Sequence, residues 1–206
     1  GNDGETHQGI LDLAFFSLVP NLTILAPNDF KELEQMLEFA VELKAPVVIR
    51  YPRGGEEKAF ASHKEISLGE SELLKDGNDL TIIGIGKTTK RALDVSDILE
   101  KKGISCEVIN ARFLKPFDNK NILKSILKTN KVITIEDGIL RGGLATSVQE
   151  LIIENDIKNV LIESYAYRDT FVKQGTIEEI EKYFCLDAES IAKDISKKIC
   201  IQEKEI

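Results

Sequence analysis

Asp3 and His7 stand four positions apart in the opening run Gly1-Asn2-Asp3-Gly4-Glu5-Thr6-His7-Gln8-Gly9, and Arg53 stands in Tyr51-Pro52-Arg53-Gly54. A carboxylate and an imidazole are side chains that move protons near neutral pH, and a guanidinium is the one best shaped to hold a phosphate. His7 is one of two histidines, and the other, His63, lies in a stretch with no chemistry of its own. Any acid-base step by imidazole therefore falls to His7. Arg53 follows a strand-like run, and ligands of open α/β sheets lie beyond the carboxyl ends of strands. Each group also has a plainer reading. Asp3 and His7 suit a solvated segment leading into a helix, and Arg53 suits a surface arginine paired with a carboxylate. Gly1, Gly4 and Gly9 let the backbone bend closely around a ligand, and the Thr6 hydroxyl is placed to cap a helix over Ile10–Leu18.

These residues need a scaffold, and the periodicity supplies one. Leu22–Ala26 reads as a strand, followed by Asn28 or Asp29 as a cap and a helix over Phe30–Lys44 in which Leu33, Met36, Leu37, Ala40, Val41 and Leu43 recur at helical spacing. Pro46–Tyr51 is a second strand with consecutive hydrophobic residues, as expected of a parallel strand covered on both faces. From Glu56 to Asn78 the pattern fades, with one extended piece around Ile66–Leu73. Strands are then expected at Leu80–Ile85, Ser105–Ile109, Val132–Glu136 and Val160–Glu163. Helices are expected at Thr88–Lys102, Asp118–Lys128, Gly143–Glu154, Thr176–Phe184 and Ala188–Ile199. Such alternation means an α/β domain with a mainly parallel sheet and right-handed crossovers. The expected division is residues 1–54 as the end of one domain, 55–78 as a linker and 79–206 as a second domain.

Composition narrows the function further. The 206 residues are 42% hydrophobic, enough for a packed core, and carry a formal net charge of -8. That balance argues against a nucleic-acid partner, which requires a concentrated basic face. Basic residues are interspersed with acids, as at Glu100-Lys101-Lys102. Cys106, Cys185 and Cys200 show no metal-ligand spacing, so reduced thiols in the cytoplasm are expected. No apolar run approaches the roughly 18 residues that cross a bilayer, so no membrane partner is expected.

Two glycine pairs invite a ligand. Gly84-Ile85-Gly86-Lys87-Thr88 follows a strand, yet a P-loop needs glycine at position 81, which is Thr81, and a dinucleotide turn needs a small residue at position 89, which is Thr89. The acid that would hold a ribose is replaced by Asn110. An ordinary tight turn from strand to helix is the favoured reading. Gly142-Gly143 opens a helix whose amide groups could bind an anion, but close packing of helix on sheet explains the same glycines and is preferred.

The opening run resembles the DG-x-TH-x-G segment of the transketolase-type thiamine diphosphate enzymes, and within them most closely the 1-deoxy-D-xylulose-5-phosphate synthase family. PNLTILAPND, PVVIRYPRG, NARFLKPFD, IEDGILRGGLATSVQE and RDTFVKQG follow in the order and spacing of that family, over nearly the whole chain. RYPRG together with DG-x-TH is the specific part. The resemblance implies a partial pyrimidine-binding domain followed by a transketolase C-terminal-like three-layer α/β domain. It implies a homodimeric transferase in which pyruvate loses carbon dioxide with the help of thiamine diphosphate, and its remaining two carbons add to the aldehyde of D-glyceraldehyde 3-phosphate. The product leads to isoprenoids, thiamine and pyridoxal. His7 then matches the catalytic histidine, Asp3 the acid that bonds an acceptor hydroxyl, and Arg53 the arginine that holds the acceptor phosphate. Glu5 departs from the wider transketolase pattern, which has proline there. The ligands of the diphosphate and of magnesium belong to segments that precede Gly1. The chain is accordingly expected to be the later part of a longer enzyme, inactive alone and without cofactor or metal ligands of its own. The C-terminal half of a transketolase, or a stand-alone binding or dimerisation module of the same fold, are the alternatives.

Overall fold

The computed structural model describes residues 3–53, 60 and 64–202. Gly1, Gly54, Gly55, His63 and the Cys200 side chain lie outside the described residues. The larger of two sheets has the order β3-β5-β4-β7-β8, built from β3 (Glu72–Lys75), β4 (Leu80–Gly84), β5 (Cys106–Asn110), β7 (Lys131–Ile139) and β8 (Leu161–Tyr167). Four of these strands run parallel, and β3 joins the edge antiparallel to β5. Every residue of β4 is buried, because helices cover both faces of its sheet. Side chains alternate across a strand. Leu80 and Ile82 therefore enter one core with α3 (Thr88–Glu100) and α7 (Ala188–Gln202), while Ile83 enters another with α4 (Asn119–Thr129) and α5 (Leu144–Glu154). The short α6 (Ile177–Tyr183) begins with a reciprocal cap between Thr176 and Glu179.

The first fifty residues form α1 (Asp12–Ser17), β1 (Thr23–Leu25), α2 (Phe30–Glu42) and β2 (Val47–Ile49). They do not stand apart. A short strand β6 (Phe113–Lys115), arriving from the larger sheet, pairs antiparallel with β1, so that the smaller sheet has the order β2-β1-β6. Leu13, Leu22, Ile24 and Ala26 share a core with Ile83, Ile109 and Val148. Arg112, at a φ of +57°, turns the chain between the two sheets and is wholly buried. Its Nε donates to Glu32 of α2 at 2.7 Å and its Nη2 to Glu72 of β3 at 2.6 Å, while Asn110 Nδ2 donates to the same Glu32 carboxylate at 2.9 Å. One cation thus ties α2 to β3 at the turn between the two sheets.

Several expectations are corrected in detail. Thr6 caps no helix: α1 starts after Leu11 with no side-chain cap, and the Thr6 hydroxyl faces His7 instead. Asp29, not Asn28, caps α2 by accepting from the Glu32 N–H at 2.9 Å. β2 is half-buried rather than covered on both faces, because it is an edge strand among the described residues. The extended piece expected around 66–73 lies at 72–75 as β3, and β6 has no counterpart among the expected strands. Gly86, at a φ of +59°, makes the tight turn into α3. Leu37 and Val41 of the apolar stripe of α2 face solvent, Val41 being 82% exposed. Cys106 and Cys185 are free, the first buried and the second exposed.

Candidate functional site

Two segments, residues 3–10 and 50–53, converge on the carboxyl ends of β4 and β7. The first is the turn that contains Asp3 and His7. Gly9 closes it at a φ of +69°, where an added Cβ would come within 2.7 Å of the Asp12 carboxylate. Gln8 Nε2 donates to the Lys173 carbonyl at 3.2 Å, and the Ile139 N–H at the end of β7 donates to the Ile10 carbonyl at 2.8 Å. The second segment leaves β2 at Arg50, whose N–H donates to the Leu25 carbonyl at 2.8 Å, and runs through Tyr51 and Pro52 to Arg53.

Asp3 and Arg53 meet. Arg53 Nη1 donates to Asp3 Oδ1 at 2.5 Å, with the arginine side chain 77% exposed. Both border a cleft of about 600 Å³ whose other walls include Arg50, Lys87 and Asp137. His7 is placed differently: it is exposed, its Nδ1 lies 2.8 Å from the Thr6 hydroxyl, and its N–H donates to the Gly4 carbonyl at 3.0 Å.

Deeper in the cleft sits a second set of charges that sequence reasoning left without a role. Arg50 Nη1 donates to Asp137 Oδ1 at 2.5 Å, and Lys87 Nζ lies 3.6 Å from Asp137 Oδ2. Burial pushes the Asp137 carboxyl up, but Arg50 and Lys87 outweigh it and hold the group below its ordinary value. The same pairing raises Arg50 above the usual guanidinium range. Arg50 and Asp137 were both present in the strings RYPRG and IEDG, yet no local spacing links residues 87 positions apart.

Glu136, the neighbour of Asp137, points the other way. Its two oxygens accept the Leu144 and Ala145 N–H groups at 3.0 Å each, at the start of α5. A Cβ on Gly143 would come within 2.1 Å of that carboxylate. The two readings of Gly142-Gly143 therefore merge: the glycines let the helix start pack against the sheet, and its first amides are satisfied by the protein's own Glu136 carboxyl group. Burial pushes the Glu136 carboxyl up to about 7 in spite of those two donors. Among the described residues no group of three or more His, Cys, Asp or Glu side chains could hold a metal ion. No described helix is long and apolar enough to cross a membrane.

Residues 69–191 match the transketolase C-terminal domain, and residues 1–56 match the transketolase pyrimidine binding domain. The chain belongs to the transketolase C-terminal domain family. Its similarity within the wider transketolase group is uneven. The 1-deoxy-D-xylulose-5-phosphate synthase of Clostridium acetobutylicum is 39% identical over 197 residues, which is 95% of this chain and 32% of that protein. The synthase of Clostridium beijerinckii is 40% identical over 96% of this chain and again 32% of its own length. The chain thus spans about a third of the length of the curated relatives it matches. Among solved structures, a split gene transketolase described as an inactive beta4 tetramer superposes with a TM-score of 0.87 at 28% identity, over 94% of this chain and 63% of that one. The mainly parallel sheet with a transketolase-like pyrimidine-binding portion before it is the architecture that the resemblance implied.

Proposed function

We propose that this chain supplies the acceptor-binding wall of a 1-deoxy-D-xylulose-5-phosphate synthase, a cytoplasmic homodimer that joins two carbons of pyruvate to D-glyceraldehyde 3-phosphate with release of carbon dioxide. The observation that carries the reading is the meeting of Asp3 and Arg53 at the rim of one cleft. A small acceptor with a hydroxyl and a phosphate needs one acceptor group for the first and one fixed cation for the second, and the two residues offer both within one ligand's reach. Thiamine diphosphate with magnesium, bound by other segments of the complete enzyme, would supply the carbon nucleophile. His7 donates the proton that the new alkoxide requires, which is general acid work for an exposed imidazole near neutral pH.

Higher identity to the synthases than to the split gene transketolase favours this reading over a transketolase proper. Exposed apolar side chains at the end of α1 and on α2, such as Leu18 at 80% and Val41 at 82%, support association with a second copy. The inactive tetramer described for the split gene relative parallels the expectation that this chain is inactive alone and binds no thiamine diphosphate by itself. The deciding assay supplies the complete enzyme with pyruvate and D-glyceraldehyde 3-phosphate and measures carbon dioxide and the five-carbon product. Turnover of a ketose phosphate donor without any use of pyruvate would replace the synthase with the transketolase reading.

A further inference from the structure

The end of β7 touches both segments that carry the site. Asp137 takes Arg50 at 2.5 Å, in a pair whose side chains are 11% and 9% exposed, and Ile139 holds the Ile10 carbonyl at 2.8 Å. Glu136 anchors the same strand end from behind, on the first amides of α5. A buried ion pair adds little net stability over apolar residues of the same volume, so stability alone does not account for one at a cleft wall. The pair joins Arg50, the first residue after β2, to the end of β7. Arg53 lies three positions beyond Arg50, with Pro52 between them, whose ring fixes its own φ and narrows the freedom of Tyr51. The Arg53 side chain is largely exposed and is gripped at its tip by Asp3, a residue of a different segment.

We infer that Asp137 is a positioning residue for the acceptor: by fixing Arg50 across the two sheets, it sets where the Arg53 guanidinium meets the acceptor phosphate. Lys87, at 3.6 Å from the second Asp137 oxygen, keeps that carboxylate ionised and aimed while Arg50 occupies the first. The inference rests on the reading of Arg53 as the phosphate clamp. It goes beyond that reading by making the C-terminal domain, through one carboxylate, responsible for the choice of a phosphorylated acceptor.

The test is Asp137→Asn in the complete enzyme, assayed with D-glyceraldehyde 3-phosphate and with unphosphorylated D-glyceraldehyde, beside Arg53→Ala. Asp137→Asn is expected to raise the KM for the phosphorylated acceptor about tenfold and to lower the preference for it about as much, with kcat and the pyruvate KM within about twofold. General destabilisation would not move that preference. If Arg53→Ala keeps the preference, the clamp reading fails and takes the inference with it. If Arg53→Ala loses the preference and Asp137→Asn retains it, the clamp stands and the inference is overturned. Should Asp137→Asn fail to fold, the apolar exchange Arg50→Met with Asp137→Leu removes the same contact at similar volume and is read in the same way.

Discussion

Arg53 Nη1 and Asp3 Oδ1 are 2.5 Å apart, so the two residues proposed to hold one acceptor also pair with each other. An exposed pair of this kind is worth about 0–1 kcal/mol, whereas a charge-assisted bond to phosphate is worth about 1.5–3 kcal/mol. On the proposed reading, an acceptor phosphate competes with Asp3 for Arg53 and is favoured by that difference. Arg53→Ala is expected to raise the acceptor KM by roughly tenfold or more. His7→Ala is expected to lower kcat by about 10²–10⁴-fold, the range of general acid-base catalysis. Steady-state kinetics of the complete enzyme checks both, and an unchanged kcat in His7→Ala would remove the proton-donor role.

Arg112, buried between the two sheets, pairs with Glu32 of α2 and Glu72 of β3. Arg112→Met leaves Glu32 and Glu72 buried without their cation and is expected to cost about 3–5 kcal/mol of unfolding free energy in urea titration. Adding Glu32→Leu should restore part of that loss by removing one of the two uncompensated charges, while Glu72 stays unpaired with Arg112 and Asn110 Nδ2 loses its acceptor. A loss below about 1 kcal/mol in Arg112→Met would show that the network contributes little.

Glu136 makes stability depend on pH. Its carboxyl titrates near 4.5 in the unfolded chain and at about 7 in the folded one. Between those values the folded protein keeps a proton that the unfolded chain has released, so stability falls as pH rises through the window, by about 3 kcal/mol at most. Asp137, held below its ordinary 3.8, acts in the opposite sense and only in more acid solution. Glu136→Gln has no proton to lose, so its unfolding free energy from pH 5 to 8 should lack this fall. Parallel pH profiles for the two proteins would place the Glu136 carboxyl at its ordinary value.

Hydrogen exchange should read the edge of the smaller sheet residue by residue. Thr23 donates to the Pro46 carbonyl and Arg50 to the Leu25 carbonyl. In a parallel pair this leaves Val48 facing β1, and Val47 and Ile49 with N–H groups directed away from it. In the dilute chain, Val47 and Ile49 are expected to exchange much faster than Val48, and far faster than Ile82 and Ile133 in the middle of the larger sheet. Equal protection of Val47 and Val48 would mean that another strand covers this edge.

The order of strands and helices was legible in the sequence because hydrophobic periodicity is local: a run such as Leu80–Ile85 or Phe30–Lys44 carries its period within itself. Asp3, His7 and Arg53 could be proposed from the sequence for the same reason, since each stands in a short string whose chemistry is local. Tertiary structure decided everything that joins distant strings. It brought Asp137 to Arg50 across 87 positions, laid Phe113–Lys115 beside β1, and buried Arg112 between Glu32 and Glu72. It also turned the Gly142-Gly143 helix start toward Glu136 rather than toward a ligand. Such pairings depend on which way each crossover turns and on which buried charge finds a partner, and neither is written in the spacing of neighbouring residues.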